Sequence, residues 1–258
     1  MTSRKDQSAT PLHLRLPATS ANLGPGFDAM ALALDLHLDV KAREADAFSI
    51  QASGRSPEIC GALEQNLLLD VYRNTLAANV RTVQPLALEI ANGIPLGMGC
   101  GSSAAVRLAG VALAAHFGGL GWTREEILAK ATRLEGHPDN IAACWMGGFV
   151  AACWDGAKLR AVSIASPVTW RALIVLPEKP LPTAASRAVL PESYARADVV
   201  ANLQRVAVLT AAFATGRGDL IAEAMRDRMH QPYRSKVCPL LPKLLPLSGA
   251  EGVLGVAL

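Results

Sequence analysis

The stretch Pro95-Leu96-Gly97-Met98-Gly99-Cys100-Gly101-Ser102-Ser103-Ala104-Ala105 joins a predicted strand, 86–90, to a predicted helix of small residues, 102–117. Three glycines at alternate positions let backbone N–H groups converge without interference from Cβ atoms. Ser102 and Ser103 then open the helix, and we expect Ser102 to cap it. The N-terminus of a helix favours phosphate through its unpaired amides and its dipole. The stretch predicts an anion cradle, and the alternative is a tight turn before a core helix.

Two familiar phosphate loops do not fit these residues. A Walker loop needs Gly-Lys followed by Ser or Thr, and no lysine lies between Arg81 and Lys130. Residues 99–104 match G-x-G-x-x-A, but a dinucleotide fold needs an acidic residue at the end of a second strand about 20 positions later. Glu125 and Glu126 lie there, inside a predicted helix. A dinucleotide fold is therefore disfavoured.

A second polar segment, Pro17-Ala-Thr-Ser-Ala-Asn-Leu-Gly-Pro-Gly-Phe-Asp28, is predicted to be an ordered loop. Such a loop can present the amide of Asn22 and the carboxylate of Asp28 to a polar ligand. Its glycines and proline fix the backbone between the two side chains. The alternative interpretation is an Asx-turn that caps a strand.

A third segment, Leu134-Glu-Gly-His-Pro-Asp-Asn140, lies at the end of a predicted helix. Glu135 could bind Mg²⁺, which prefers carboxylate or hydroxyl oxygens together with nucleotide phosphates. His137, Asp139 and Asn140 could contact a substrate. For each residue taken alone, a helix-ending turn with solvated polar groups is the more common explanation.

Two arginines in the second half are candidates for binding an acidic group. Arg187 follows Thr183 by four residues, and Arg234 closes the segment His230-Gln-Pro-Tyr-Arg234. A guanidinium fork held in place suits a carboxylate. The default alternative for each arginine is a surface ion pair.

Length and composition limit the class of protein. The 258 residues suffice for one large or two modest domains, and 51% hydrophobic against 18% charged residues predicts a globular chain. A net charge of +3 gives no reason to expect nucleic acid. The N-terminus has no apolar signal, and the most apolar stretch, 141–154, is shorter than the roughly 20 residues that cross a membrane. Five scattered cysteines suggest reduced, buried thiols and a cytoplasmic protein.

Periodicity and turn signals predict a mixture of strands and helices. The predicted strands are 12–16, 29–40, 86–90, 145–154, 159–164, 168–176 and 252–258, and the predicted helices are 66–80, 102–117, one from Thr123, 198–215 and 219–230. Helices mixed with antiparallel turns indicate the α+β class. We place a domain boundary near Ser166-Pro167, which divides the chain into 1–166 and 167–258.

Together the three polar blocks resemble the homoserine kinase family of the GHMP small-molecule kinase superfamily. The blocks occur in the family's order, and the resemblance spans 12–258. The glycine loop marks the superfamily, whereas the 17–28 block points to the family. The resemblance implies a two-domain α+β fold, with an N-terminal domain like ribosomal protein S5 domain 2 and a ferredoxin-like C-terminal domain.

The resemblance also implies a role for each matching position. Residues 95–105 would bind the phosphates of ATP, and a serine of the Ser102-Ser103 pair, assigned as Ser102, would hold Mg²⁺ together with Glu135. Asn140 and Asp139 would be the catalytic residues beside the reacting hydroxyl. The substrate-binding residues would be Asn22, Asp28, His137, Thr183, Arg187 and Arg234.

The implied activity is the ATP-dependent phosphorylation of the L-homoserine hydroxyl to O-phospho-L-homoserine, a transferase step of threonine biosynthesis in the cytoplasm. We expect L-homoserine as the partner, no nucleic acid and no membrane, with a homodimer as the assembly to test. One alternative is another GHMP kinase, such as one of the mevalonate type. The other is a truncated remnant that binds nucleotide without catalysis.

Three positions depart from the family pattern. Cys100 stands where the loop usually has leucine, which a cradle made of backbone should tolerate. The spacing from Glu135 to His137 is shorter than in some members. The family's Ser-Gly-Ala-Gly-Pro-Ser loop should follow a strand such as 252–258, so we expect an incomplete C-terminal domain.

Overall fold

The computed structural model describes residues 9–178 and 182–258. The first eight residues, to which the expectation of no signal peptide largely refers, lie outside this part of the chain. All three polar blocks and both candidate arginines lie within it.

A six-stranded mixed sheet forms the centre of the first half. Its strands are β1 Leu12–Asn22, β2 Gly26–Glu44, β3 Ser49–Gly54, β4 Leu86–Asn92, β5 Phe149–Trp154 and β6 Leu159–Ile164. They run in the order β3-β4-β2-β5-β6, and β1 pairs with β2 off this path. β3 and β4 pair in parallel, whereas the other neighbours are antiparallel.

β1 and β2 form one long hairpin where the sequence predicted a loop over 17–28. Strand pairing continues as far as Asn22 opposite Gly26, with register shifts after Pro17 and after Ala21. The prediction is therefore correct only for the tip, because residues 18–21 are paired in the sheet and Ala18 and Thr19 are buried. At the tip, Asn22 and Gly24 have φ of 67° and 86°, which Asn and Gly tolerate best.

The helices are α1 Pro57–Cys60, α2 Leu67–Ala78, α3 Ser102–Phe117, α4 Arg124–Glu135, α5 Asp139–Met146, α6 Thr183–Ala188, α7 Arg196–Thr215, α8 Ile221–Ala224, α9 Gln231–Arg234 and α10 Leu241–Leu244. The predictions of α2, α3 and α4 are confirmed, and Thr123 forms the expected capping box with Glu126. The predicted cap Ser102 is wrong. Gly101 is the N-cap of α3, because its φ of 67° places the break in helical geometry one residue earlier.

The predicted strand 145–154 divides into a helix end and a strand. Trp145 and Met146 complete α5, and β5 begins only at Phe149. Gly147 and Gly148 separate the two with φ of 75° and 73°, a conformation that a strand cannot contain. The start of α5 is buried against the sheet, as expected for this apolar stretch.

α7 packs the second half of the chain against the sheet. Leu209 and Ala212 are fully buried in one cluster with Met30 of β2. The ring of Phe213 stacks on Phe149 of β5, with a centroid distance of 4.2 Å. Within the described residues α7 also meets the length and hydropathy of a membrane span, a test that core helices of soluble proteins pass as well.

Two predicted strands are wrong, and one predicted helix is too long. Neither 168–176 nor 252–258 is a strand, since no described strand lies beside them to complete a hydrogen-bonded ladder. The predicted helix 219–230 ends at Ala224. Beyond it, the Asp227 carboxylate accepts backbone N–H groups of Met229, His230 and Gln231, which holds a turn instead of a helix.

Candidate active site

The glycine loop opens at the N-terminus of α3 as an exposed backbone cradle. Gly97, Gly99 and Gly101 have φ of 69°, 75° and 67°. A Cβ at Gly99 would meet nothing within 4 Å, so this part of the loop faces open space. Pro95 and Cys100 are buried and anchor the loop, and Ala104 and Ala105 enter the core. The remaining residues of the loop, Leu96, Met98, Ser102 and Ser103, are half-buried.

Thr19 of β1 connects the glycine loop to the third polar block. Its backbone N–H donates to the Cys100 carbonyl at 3.1 Å, and its Oγ1 donates to Asn140 Oδ1 at 2.6 Å. A Cβ on Gly101 would overlap Thr19 Oγ1. Gly101 is therefore required by this close approach, and the loop and Asn140 are held at a fixed separation.

Glu135, at the end of α4, lies against Ser103 rather than Ser102. Ser103 Oγ donates to Glu135 Oε2 at 3.1 Å, and Arg107 Nε lies 2.8 Å from the same oxygen. The Ser102 hydroxyl instead accepts the Gly97 N–H at 3.5 Å. The carboxylate and hydroxyl oxygens at this point are ligands that suit Mg²⁺, and Arg107 balances the Glu135 charge.

His137, Asp139 and Asn140 form one hydrogen-bonded turn at the start of α5. Asp139 Oδ1 contacts His137 Nδ1 at 2.5 Å and accepts the Asn140 N–H at 2.7 Å. Burial lowers the pKa of His137, but the bond to Asp139 outweighs this effect and leaves the pKa above its usual value. Asp139 is buried, with 2% of its side chain exposed, and so orients its two neighbours.

The hairpin tip meets α6 through an ion pair. Arg187 Nη1 and Nη2 donate to the two carboxylate oxygens of Asp28 at 3.0 and 2.5 Å. Asn22 Oδ1 accepts the backbone N–H of Asp28 at 3.2 Å and holds this residue at a φ of 55°. Ligand atoms of Asp28, His137 and Asp139 lie within 4.8 Å of one another, so the second and third polar blocks share one site.

Both candidate arginines face the ring of Phe27. The guanidinium carbon atoms of Arg187 and Arg234 lie 5.2 and 5.1 Å from the ring centroid. Arg234 is buried and donates from Nε to the Ser186 carbonyl at 3.3 Å. Burial, and then the charge of Arg187, lower the pKa of Arg234. Thr183 lies one turn before Arg187 and is exposed.

A separate groove of about 1000 Å³ lies between α7 and α8, lined by residues such as Val200, Arg205 and Val208. None of the predicted site residues lines it. The cluster around Asp28 is distinguished by converging charges and hydrogen bonds, which are what a polar substrate requires.

Comparisons with known proteins agree with this arrangement. Residues 66–148 match the family described as the GHMP kinases N terminal domain. A homoserine kinase of Solibacter usitatus is 49% identical over 250 residues, which cover 95% of this chain and 81% of the relative. The chain belongs to the homoserine kinase family. The α+β fold class expected from the resemblance is thereby confirmed.

Solved structures give the same assignment to the homoserine kinase family. The crystal structure of homoserine kinase from Cytophaga hutchinsonii superposes with a TM-score of 0.75 at 26% identity, covering 99% of this chain and 82% of that one. Mevalonate kinase from L. major, in complex with R-mevalonate, gives a TM-score of 0.63 at 14% identity, covering 98% and 85%. This second likeness concerns the fold alone.

Sequence reasoning missed three residues of this homoserine kinase family site: Thr19, Phe27 and His230. Thr19 and Phe27 lie inside the 17–28 block, but an unpaired loop gave no reason to assign contacts to them. His230 is the first residue of the segment that Arg234 closes, and its ring nitrogen contacts the Gly24 carbonyl 206 residues away. No local pattern signals such a contact.

Proposed function

We propose that this protein transfers the terminal phosphoryl group of ATP to the hydroxyl of L-homoserine, giving O-phospho-L-homoserine for threonine biosynthesis. The observation that carries the proposal is the shared site of Asp28, Arg187 and Arg234 beside His137 and Asn140. Thr19 ties Asn140 to the glycine loop. An amino-acid site thus adjoins a phosphate cradle.

The glycine loop would bind the phosphates of ATP. Backbone amides at the start of α3, a helix of 16 residues, offer donors and a positive dipole end. The open space beside Gly99 leaves room for an anion to approach the backbone. Because the donors belong to the backbone, Cys100 in place of leucine is compatible with binding.

Ser103 and Glu135 would hold Mg²⁺, with Ser103 in the role that the resemblance implied for Ser102. The oxygen donors Ser103 Oγ and Glu135 Oε2 are 3.1 Å apart and fit the preference of this cation. The bound ion would neutralise phosphate charge during transfer. Arg107, 2.8 Å from Glu135, would keep the carboxylate oriented.

Homoserine carries an ammonium and a carboxylate, and the site offers a partner for each. Asp28 would bind the ammonium, with Asn22 fixing the Asp28 backbone. Arg187 and Arg234 would bind the carboxylate as charged forks, with Thr183 at the head of the same helix as Arg187. Mevalonate has no ammonium, so Asp28 favours the amino acid over a mevalonate-type acceptor.

The reacting hydroxyl would lie near Asn140, with His137 close to the substrate. Asp139 acts through these neighbours, since its Oδ1 contacts both of them. A loose transition state for phosphoryl transfer needs little help from a general base, so positioning and charge neutralisation supply most of the catalysis.

The same proposal includes three further points. The chain divides into 1–166 and 167–258, the protein is located in the cytoplasm, and it forms a homodimer. Support for the division comes from the sheet, whose last strand ends at Ile164. The second unit then supplies α6 and α9, which carry the two carboxylate-binding arginines.

An acceptor panel tests the proposal. The protein is assayed with ATP and Mg²⁺ against L-homoserine, mevalonate and no acceptor, with ADP release and phosphorylated product measured. We expect turnover with L-homoserine only. Turnover with mevalonate alone would favour the other GHMP kinase activity, and ATP binding without any turnover would favour a non-catalytic nucleotide-binding protein.

A further inference from the structure

His230 is enclosed between the hairpin tip and α9. Its side chain is fully buried, with Nε2 2.6 Å from the Gly24 carbonyl oxygen and Nδ1 3.4 Å from Nη1 of Arg234. Its ring lies 5.3 Å from the ring of Phe27. The imidazole of His230 therefore contacts three features of the site: the turn between Asn22 and Asp28, the ring of Phe27, and Arg234.

The two polar partners determine the protonation state of the imidazole. A backbone carbonyl can only accept, so Nε2 must carry the hydrogen that it donates to Gly24. A guanidinium can only donate, so Nδ1 must present its lone pair to Arg234. Only the neutral tautomer with hydrogen on Nε2 satisfies both. A second proton would point an N–H group at a cation.

The surrounding charges shift the protonation equilibrium of His230 in opposite directions. Asp227 lies 3.7 Å from Nε2 and, with Asp28, favours the charged imidazole, whereas Arg234 opposes it. Burial is the largest influence and lowers the pKa of His230 below its usual value. The Asp227 carboxylate is already bonded to Asn202 and to backbone N–H groups, which reduces its need for a proton from the ring.

We propose that His230 is a positioning residue that, as the neutral imidazole, orients Arg234 toward the substrate carboxylate and ties it to the Gly24 turn. This inference rests on the proposed function, because the ligand that Arg234 receives is taken to be L-homoserine. The alternative is a core histidine whose hydrogen bonds serve stability alone.

Two variants test the hydrogen bond to Gly24 and the hydrogen bond to Arg234 separately. His230→Gln retains an N–H donor near the position of Nε2, and His230→Asn retains an oxygen acceptor near the position of Nδ1. We expect each to weaken L-homoserine binding about tenfold, the equivalent of one lost hydrogen bond, and to leave ATP affinity within about twofold. His13→Gln is the control, because His13 is exposed at the far end of β1. Calorimetric titration with each ligand gives the affinities.

The outcomes are distinguishable. Unchanged L-homoserine binding in both variants, or an equal loss of L-homoserine and ATP, would overturn the positioning role. If the unaltered protein binds ATP but no L-homoserine, the proposed function fails, and this inference fails with it.

A measurement on the unaltered protein covers the case in which the variants do not fold. Imidazole ¹⁵N NMR should report His230 as the neutral form with hydrogen on Nε2 at pH 7. Because binding and protonation are linked, L-homoserine should lower the pKa of His230 further. A protonated ring, hydrogen on Nδ1, or a pKa that L-homoserine leaves unmoved would contradict the proposal.

Discussion

Arg187 and Asp28, 159 residues apart in the chain, bind one another through two parallel N–H···O bonds. These residues are also the proposed partners of the substrate's carboxylate and ammonium groups. The two side chains neutralise each other, and each is complementary to one charge of the proposed amino-acid ligand. A zwitterionic ligand can replace the bonds between Arg187 and Asp28 without leaving the charge of either side chain unpaired, whereas an acceptor with a single charge cannot.

Removal of Arg187 or Arg234 should weaken the use of L-homoserine and leave the use of ATP unchanged. Arg187→Ala or Arg234→Ala should raise KM for L-homoserine about tenfold to a hundredfold, since a bond to a charged group contributes about 1.5–3 kcal/mol. KM for ATP should stay within about twofold. Arg217→Ala is the control, because Arg217 is exposed and pairs with Asp219, two residues further along the chain. Equal losses for both substrates, or no change, would count against the carboxylate clamp.

The glycine loop offers a matched pair of substitutions. A Cβ at Gly101 would overlap Thr19 Oγ1, whereas a Cβ at Gly99 would meet nothing within 4 Å. Both residues have positive φ, so both alanine variants bear a backbone strain of about 1 kcal/mol. Gly101→Ala should additionally displace Thr19 and weaken ATP binding at least about tenfold more than Gly99→Ala, as measured by titration. Similar affinities in the two variants would show that the close approach is unimportant.

The two serines should differ in their effect on Mg²⁺. Ser103 bonds to Glu135, and Ser102 bonds back to the loop. Ser103→Ala should raise the Mg²⁺ concentration needed for half-maximal activity more than Ser102→Ala does, and Glu135→Gln should act like Ser103→Ala. A chelator should abolish the activity in every case. A larger effect at Ser102 would restore the assignment made from the sequence.

Acid should destabilise the protein through Asp227. Burial raises the pKa of this carboxyl, but the charge that His230 carries once it is protonated in acid, together with hydrogen bonds from Asn202 and backbone N–H groups, outweighs burial and lowers the pKa below 3.8. The native state then binds fewer protons than the unfolded state between the two pKa values, so this stabilisation is complete above pH 3.8 and is lost as the pH falls through the native pKa.

Asp227→Asn should therefore reduce the free energy of unfolding at pH 7 and flatten its decline in acid. Urea unfolding between pH 3 and pH 7 measures both effects. Asp46→Asn, on the exposed surface between β2 and β3, provides the control. If the free energy of unfolding of Asp227→Asn falls in acid as steeply as that of the unaltered protein, other carboxyl groups cause the acid destabilisation.

Local signals predicted the parts of the fold that local interactions determine. Thr123 and Glu126 specify the start of α4 within four residues, and α3 and β6 begin and end as the periodicity indicated. β3 was missed, since its parallel pairing with β4 places Ser49 opposite Ala87. The predicted strands 168–176 and 252–258 have the right side chains but no described neighbour to pair with.

The residues of the candidate site also fall into two groups: those that local patterns predicted and those that they could not predict. Local patterns singled out the polar blocks, the resemblance implied their roles, and the structure brings Asp28, His137, Asp139 and Arg187 together. The partner of Glu135 could not be chosen from sequence, because Ser102 and Ser103 are adjacent and only the rotation of α3 distinguishes them. Thr19 and His230 act through contacts across more than a hundred residues, which no spacing rule predicts.

The turn at Gly24 also joins two segments that are synthesised far apart in time. A Cβ at Gly24 would overlap the Met225 carbonyl, so a segment made late on the ribosome seats directly on a turn made near the start. All six strands and the glycine loop have been synthesised once residue 164 has been added, whereas Arg187, His230 and Arg234 are added afterwards. During synthesis the residues of the proposed phosphate cradle are therefore present before those of the proposed acceptor pocket.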